Sequence, residues 1–563
     1  MKHFFTLWLG STFVALAAPY SGQAQTWQWL STHEANSTGA STIRALVADG
    51  AGNSIVAGSF SGTVTFGSNA LTSVGLTDVF VGRLNAAGDW TQAVRAGGSG
   101  AEEPYGVAVS PTGEVVVTGR FASTTITFGT TALTNAAAGG TSTTDIFVAR
   151  LSAAGAWTQA LRVGGPLADQ VTSLALDPAG NATIAGSFNS PTVAFDAFTL
   201  TNADAAGASG DAFVARLSPA GTWTQAVRAG GPGFDQILAM TEDAAGTTYT
   251  TGIYGSPTAA FGATTLINSE ASGTNFDAFV AKLSPAGIWT QAVGGGGAGS
   301  LDQPNALAVD ASGNVIIAGL HTATTTFGTN ALAAPTGTYT GFVARLSPAG
   351  TWTQAVAGGG MATTVFPNAV AVDASGNTTV TGQLNGANAQ FGAIAINGPA
   401  TTTGADVFVA RLNTAGIWTY ALRVGTSGTD NASGIFLSGT TATVSGSMQN
   451  PASAFGFNSL VPRATTVTGF VARLSGLVSG ILPSKSTEAL ALLPNPARDA
   501  VNLRGLAPSN NQQFAVLTDG VGREVRRFTL PARATAIKLD LTGVVPGIYV
   551  LRCGAASSKL VVE

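Results

Sequence analysis

Residues 211–231 read DAFVARLSPAGTWTQAVRAGG, and the reading of this stretch decides the fold. Ser218-Pro219-Ala220-Gly221 is turn chemistry, because proline presets the φ of a turn's second position and glycine accepts a left-handed one at its end. Short runs rich in Phe, Val, Trp and Thr flank it, as strands require. The unit is therefore a β-hairpin. Its first strand, FVxRL or FVAKL, returns at Phe80, Phe147, Phe213, Phe279, Phe342, Phe408 and Phe470, at intervals of 62–67 residues. A tryptophan strand follows six of them, at Trp90, Trp157, Trp223, Trp289, Trp352 and Trp418. A seventh version, TWQWL around Trp29, stands alone near the N-terminus.

Two more elements share the period. One is typified by LAVDASGNVIIAG, Leu307 to Gly319, and has seven copies. In the copy Asp177-Pro178-Ala179-Gly180-Asn181, the residue types are those of a type I turn closed by a left-handed glycine, the recipe for a three-residue hairpin loop. The fourth copy has Thr247 in place of the final asparagine, and the seventh, Leu437 to Thr441, lacks the aspartate; looser hairpins are expected there. The other element is a Phe-Gly pair at Phe66, Phe128, Phe261, Phe327, Phe391 and Phe455, with Phe195-Asp196 as the variant. Each repeat is thus expected to hold four strands and a variable insertion after that pair.

VAVD, VIIAG and FVARL are apolar on both faces, with small residues interleaved. A sheet with one wet face would alternate instead. Sheets stacked radially bury both faces and narrow toward an axis, which favours a propeller. The last unit, from about Gly434 to Leu474, lacks a tryptophan strand, and the orphan around Trp29 is the missing piece. The expectation is all-β: a seven-bladed β-propeller over 25–475, closed by the N-terminal strand.

A chain of 563 residues is long enough for several domains or one repeat array. Charged residues are 10%, against about 25% in ordinary domains. Apolar residues are 45%, so this is no charge-rich disordered chain. A net charge of −4 gives no general grip on nucleic acid. At the N-terminus, Lys2 precedes an apolar run from Phe4 to Ala18, and Gly22 and Ala24 put small side chains before a cleavage point between Ala24 and Gln25. Residues 1–24 read as a secretory signal peptide, and no other segment is long enough to span a membrane. Cys553 is the one cysteine and lies in the apolar run IYVLRC, so it reads as a buried strand thiol and disulfides play no part.

Residues 476–488 read as a linker, and 489–563 as a small immunoglobulin-like β-sandwich of short strands between Gly, Pro and Asp turns. The repeat unit, over Thr26 to Ser475, resembles the bacterial β-propeller repeats named SBBP, and that resemblance implies an extracytoplasmic propeller. Residues 489–563 resemble the type A C-terminal sorting domain of the type IX secretion system. The matching residues are Pro494-Asn495-Pro496, Asp519-Gly520 with Gly522-Arg523, Gly547-Ile548-Tyr549 and Lys559-Leu560-Val561. The resemblance implies Sec export, then recognition by the type IX machinery through a sorting motif at Pro494, Asn495, Pro496, Gly547, Tyr549 and Lys559. A secreted or outer-membrane surface location follows.

Chemistry is sparse. His33 and His321 are the only histidines beyond the signal peptide, with no metal-ligand spacing between them. His321 reads as a loop histidine. No GxSxG elbow and no Walker A lysine occur, and the formal GxGxxG at Gly294–Gly299 leads into a strand and not a helix. No catalytic, cofactor-binding or metal residue is assigned, and no cofactor is expected. Asp177, Asp310 and Asp373 read as turn caps. Asp78, Asp145, Asp211, Asp277 and Asp406 precede the FV strand by two residues, with Gly341 and Gly469 taken as their replacements. They are expected to pair with a sevenfold cation set, Arg83, Arg150, Arg216, Lys282, Arg345, Arg411 and Arg473. The tryptophans read as packing.

Binding is left to the segments that vary between copies, 134–144, 190–211, 256–277 and 335–340. The leading function is a non-enzymatic binding module for glycan or protein partners. The alternatives are a propeller lyase or hydrolase, which needs a convergent set of Asp, Glu, His or Tyr, and a structural coat protein.

Overall fold

The computed structural model describes the chain from residue 26 onward, apart from 35–36, 138–142, 205, 271, 273–274, 336–337, 361–362, 398–403, 426–427, 449–466, 478–490, 494, 505–512, 520–522, 532–535 and 554–555. Among the described residues every regular element is a strand. The chain has two compact units, Met1–Ser479 and Gly480–Glu563. The first is a β-propeller-like array of antiparallel sheets.

The third sheet shows the plan. Its four strands, Asp169–Leu176, Ala182–Phe188, Asp211–Leu217 and Trp223–Ala229, pair in chain order. The first turn is the expected one: the Gly180 amide donates to Asp177 O at 2.9 Å, Asp177 N to Asn181 O at 3.0 Å, and Gly180 has φ 84°. The Asp177 carboxylate accepts from the Asn181 amide at 2.8 Å, so the turn aspartate does cap backbone. The two central strands are buried on both faces, as their apolar sequence requires.

The first strands of the seven sheets are Ala40–Ala48, Glu102–Val109, Asp169–Leu176, Asp235–Glu242, Asp302–Val309, Thr364–Val372 and Asn431–Ser438. The seventh sheet takes its fourth strand from the N-terminus: Thr26–Thr32 pairs with Thr468–Ser475, Leu30 opposite Ala472 and Thr32 opposite Phe470. The two turns expected to be loose are regular. Asp243 caps Ala245 and Thr247 at 2.9 Å, and Gly439-Thr440 makes a two-residue turn between paired Ser438 and Thr441.

The Phe-Gly pair forms the turn of a fifth element, a short hairpin, and the variable segment follows that hairpin. Six such hairpins are described, beginning with Thr63–Phe66 and Asn69–Thr72, and they recur through Asn388–Phe391 and Ile394–Asn397. Much of 190–211 and 256–277 is this common hairpin. Phe455 lies outside the described residues. Asp196 replaces the glycine in one copy and keeps its left-handed backbone, φ 50°, while its carboxylate accepts from Trp223 N at 2.9 Å.

These hairpins lock neighbouring sheets together. Each extends toward the fourth strand of the sheet before it, as in Gly230↔Ala260 and Gly359↔Gln390. Its phenylalanine packs on the tryptophan of its own sheet, with ring centroids 4.9 Å apart for Phe195 and Trp223 and 5.0 Å for Phe391 and Trp418. Burying such a ring is worth about 1.5–3 kcal/mol. The tryptophan indole N–H then reaches back: Trp157 donates to Arg95 O at 3.0 Å and Trp352 to Gly294 O at 2.9 Å. Trp90 of the first sheet donates to Thr32 O at 2.9 Å, treating the N-terminal strand as the preceding fourth strand. The tryptophans are packing residues, as expected.

Each first strand carries one β-bulge, at Arg44, Tyr105, Thr172, Leu238, Asn305, Asn368 and Ser433. The bulge presses a carbonyl onto the second strand. A Cβ on Gly186 would lie 2.1 Å from Gln170 O, and one on Gly446 would lie 1.9 Å from Asn431 O. This close approach, more than a narrowing toward an axis, fixes the glycine of every IAG-type strand.

The second unit holds a three-stranded sheet, Ala491–Leu493, Ala500–Arg504 and Ala536–Asp540, and a four-stranded one, Glu524–Leu530, Gln513–Thr518, Gly547–Cys553 and Ala556–Val562. Leu492, Val501, Leu503 and Leu539 of the first share one core with Leu517, Leu551 and Leu560 of the second. Cys553 is half-buried at a strand end, and burial pushes its thiol up.

Candidate functional site

Seven near-copies cancel one another as candidates, so a site is sought where the repetition fails. The repeated charges are consumed inside the array. Arg216 pairs with the turn carboxylate of Asp177 and with Glu242 of the next sheet, the latter at 3.0 Å. Arg345 pairs with Asp310 at 2.6 Å and donates to Gly376 O of the following sheet at 2.9 Å. Arg411 pairs with Asp373, and Arg150 with Glu114 at 2.9 Å. Arg83 donates to Gly113 O at 2.6 Å and Arg473 to Gly52 O at 3.4 Å. The partners of this cation set are therefore the turn residues, not the aspartates before the FV strand.

Four of those five aspartates pair instead with the arginine of the tryptophan strand: Arg95–Asp78 and Arg162–Asp145 at 2.7 Å, Arg228–Asp211 at 2.5 Å, and Arg423–Asp406. Strand register puts Thr340 and Thr468, not Gly341 and Gly469, in the aspartate position of the other two sheets. Each aspartate also has an acidic companion that the sequence reading overlooked, at or just before the start of the next sheet's first strand: Glu102, Asp169, Asp235, Asp302 and Asp430. The repeated Asp-Gln of Asp169-Gln170, Asp235-Gln236 and Asp302-Gln303 was the available signal.

These companions are buried and bonded. Asp235 accepts from Gly231 N at 2.7 Å and Ser256 Oγ at 2.6 Å; Asp169 accepts from Gly165 N at 2.7 Å and Ser190 Oγ at 2.8 Å. Burial still dominates, pushing both carboxyls up to about 6, and the neighbouring Asp211 and Asp145 add to the rise. Gly230 separates Asp211 from Asp235, and a Cβ there would stand 2.7 and 2.6 Å from their oxygens. This explains the first glycine of the AGG motif, Ala229-Gly230-Gly231.

His321 is no loop residue. It ends the strand Val315–His321, is fully buried, holds Ala323 O at 2.8 Å through Nδ1, and burial lowers its pKa. His33 is buried against Ser41 Oγ at 2.7 Å. Among the described residues no group of three or more His, Cys, Asp or Glu is placed to hold a metal ion.

The repetition fails on the first strands of sheets 1 and 2. The residue before the buried bulge neighbour is Thr42, Glu103, Gln170, Gln236, Gln303, Phe366 and Asn431 around the seven sheets. With the bulge residues, these positions hold ionisable side chains only as Arg44, Glu103 and Tyr105, and Arg120 lies opposite Glu103 on the second strand. The four make one cluster. Glu103 accepts from Arg44 Nη2 at 2.6 Å, from Arg120 Nε and Nη2 at 3.0 and 2.7 Å, and from Tyr105 Oη at 2.8 Å. Both guanidinium carbons lie over the Tyr105 ring, 5.3 and 5.5 Å from its centroid.

Burial pushes the Glu103 carboxyl up, but Arg44, the Tyr105 hydroxyl and Arg120 outweigh it and hold the carboxylate below its usual range. Burial, with Glu103 beside it, pushes the Tyr105 phenol up. The cluster therefore carries two fixed positive charges and one negative. It is reachable: the Arg44 and Arg120 side chains are 36% and 35% exposed. The buried Nε of Arg44 has no partner. Elsewhere the bulge side chains are spent on the next sheet, as where Thr172 donates to Ile237 O at 2.7 Å, Asn305 to Pro367 O at 2.9 Å and Ser433 to Ile43 O at 2.6 Å.

In the second unit the described residues of the expected sorting motif lie on or against the two paired strands Gly547–Cys553 and Ala556–Val562. Asn495 Oδ1 accepts from Val561 N at 2.8 Å, Tyr549 is opposite Leu560 in register, and its hydroxyl donates to Val545 O at 2.6 Å. Gly547 is opposite Val562, and Lys559 occupies the strand position opposite Val550. Pro496 follows Asn495 in the turn. Pro494 and the cleavage residues Ala24 and Gln25 lie outside the described residues.

No protein-family model matches the chain, and the comparison with curated proteins finds no match. Among solved structures it is similar to Drosophila Semaphorin 2a, with 7% identity over 95% of this chain and 97% of that one and a TM-score of 0.39. It is similar also to Sqt1 from Chaetomium thermophilum, with 10% identity over 73% and 97% and a TM-score of 0.34. The WD40 β-propeller domain of Doa1 aligns at 9% identity over 63% and 94%, with a TM-score of 0.27. The fold assignment rests on the strand pairings of the chain itself.

Proposed function

We propose that the first unit is a seven-bladed propeller closed by the N-terminal strand, and that it serves as an exported, non-enzymatic binding module. Three contacts support closure: Ser433 to Ile43, Arg473 to Gly52, and Trp90 to Thr32 all join the last sheet, or the strand that completes it, to the first. In such a ring the seven bulged strands surround the axis, and the Arg44–Glu103–Tyr105–Arg120 cluster breaks their symmetry there. That break is the observation that carries the binding reading, because the repeated charges are already committed to partners that recur with the repeat. Glu103, saturated by four donors, is poorly suited to general acid or base work, which needs a proton in flux. The second unit is read as an immunoglobulin-like sorting sandwich. Its support is the resemblance to type IX sorting domains, the coming together of Asn495, Tyr549 and the strand of Lys559, and the signal-peptide pattern at residues 1–24.

A binding screen of the full chain against glycans and cell-surface polysaccharides, with and without calcium, tests the module. A reproducible micromolar ligand is expected, and a blank screen from folded protein contradicts it. Deleting 489–563 in the native cell should retain the chain in the periplasm; undiminished surface display would contradict the sorting role.

A further inference from the structure

We propose that the Arg44–Tyr105–Arg120 cluster is a carboxylate-binding site and that its ligand is a uronic-acid-containing oligosaccharide. The inference rests on the binding-module reading and names its ligand class. Glu103 already accepts four hydrogen bonds, so it has no room for a further donor and acts to align the two guanidinium groups. It neutralises one of them, leaving one net positive charge, which matches one carboxylate. Arg44 spends Nη2 on Glu103 and Arg120 spends Nε and Nη2, so Nη1 of each part-exposed guanidinium is left to donate to a carboxylate.

The surroundings favour sugar over peptide or nucleic acid. At the matching positions of the other sheets stand Gln170, Gln236, Gln303, Asn305, Asn368 and Asn431. Each spends only part of its amide on a neighbour, as where Gln303 donates to Asn305 Oδ1 at 2.7 Å and Asn368 to Asn431 Oδ1 at 2.7 Å. Amides both donate and accept, as hydroxyl groups require, and they offer no charge to a polyanion's successive phosphates. One fixed charge set among neutral amides thus selects a chain that is mostly hydroxyl, with a carboxylate at one ring.

Calorimetry with the full chain tests this using three probes: a galacturonic acid tetrasaccharide, its carboxyl-reduced neutral counterpart, and a glutamate-rich hexapeptide. The acidic tetrasaccharide is expected to bind at least tenfold more tightly than either of the others. Arg44→Gln and Arg120→Gln should each weaken it tenfold or more with an unchanged thermal midpoint, and Arg44→Lys should recover part of the loss. If Arg44→Gln fails to fold, Arg44→Lys and Tyr105→Phe carry the test. Preference for the peptide overturns the proposal. Equal affinity in wild type and Arg44→Gln overturns the site while leaving the binding module intact. No binding of any probe by folded protein, with a positive polysaccharide screen, overturns the ligand class alone; a blank screen as well removes both readings.

Discussion

Between the third and fourth sheets, Asp211 and Asp235 are buried beside Arg228, which bonds Asp211 at 2.5 Å. Between the fourth and fifth, Asp277 and Asp302 are buried with no arginine, because Gly294 stands where Arg228 would be. Tyr254 has taken the space. It replaces Phe188 of the sheet before, its hydroxyl lies 3.4 Å from Asp277 Oδ2, and a Cβ on Gly294 would sit 2.9 Å from that hydroxyl. Its one O–H is shared with Ile267 O, at 3.2 Å, and it brings no charge. Burial, with Asp277 adding to it, pushes Asp302 up to about 7, against about 6 for Asp235. The repeat therefore fixes where carboxylates go but leaves open what stands beside them, a guanidinium in one junction and a phenol in the next.

Removing the cation breaks the comparison most severely. Arg228→Met strands Asp211 as a buried, unpaired carboxylate and should cost about 3–5 kcal/mol of unfolding free energy in a urea titration at pH 7. A cost within error would mean that the arginine is not what distinguishes the two junctions.

The proton makes a second, pH-dependent difference. A folded pKa above the unfolded value of 3.8 means that the fold favours protonated Asp302. That contribution is full below about pH 4 and is lost as pH rises toward 7. Asp302→Asn keeps the neutral shape at every pH, so its stability relative to wild type should improve by about 2–3 kcal/mol between pH 5 and pH 8. Parallel curves for the two proteins would refute the assignment of the proton to this junction.

The smallest effect comes from converting one junction into the other. Tyr254→Phe with Gly294→Arg restores the pattern of the third sheet and should gain about 1 kcal/mol at pH 8, with less at pH 5. Equal gains at both values would point to packing instead of charge.

Much of this architecture was legible in the residues. Turns such as Asp177–Asn181 carry their own chemistry, the apolar two-faced strands announce burial, and the lone strand around Trp29 matches the gap in the last repeat. The Phe-Gly hairpin was not legible as a common element, because four-residue strands such as Thr192–Phe195 are too short for periodicity to register. Ion-pair partners were misassigned for a geometric reason. Asp211 and Arg216 share a strand but sit near its opposite ends, so each finds its counterion on a different neighbour. The cluster at Arg44 was invisible because its members come from two repeats, and a scan for what recurs passes over what does not.

Charges that recur with the repeat hold the fold, and the charges proposed for recognition stand where the repeat breaks. The most direct test of that division measures unfolding free energy and galacturonate affinity together for Arg228→Met and Arg44→Gln. The predicted result is crossed, with stability lost and affinity kept in the first, and affinity lost and stability kept in the second. Arg44→Gln losing stability while a folded Arg228→Met loses affinity would contradict it.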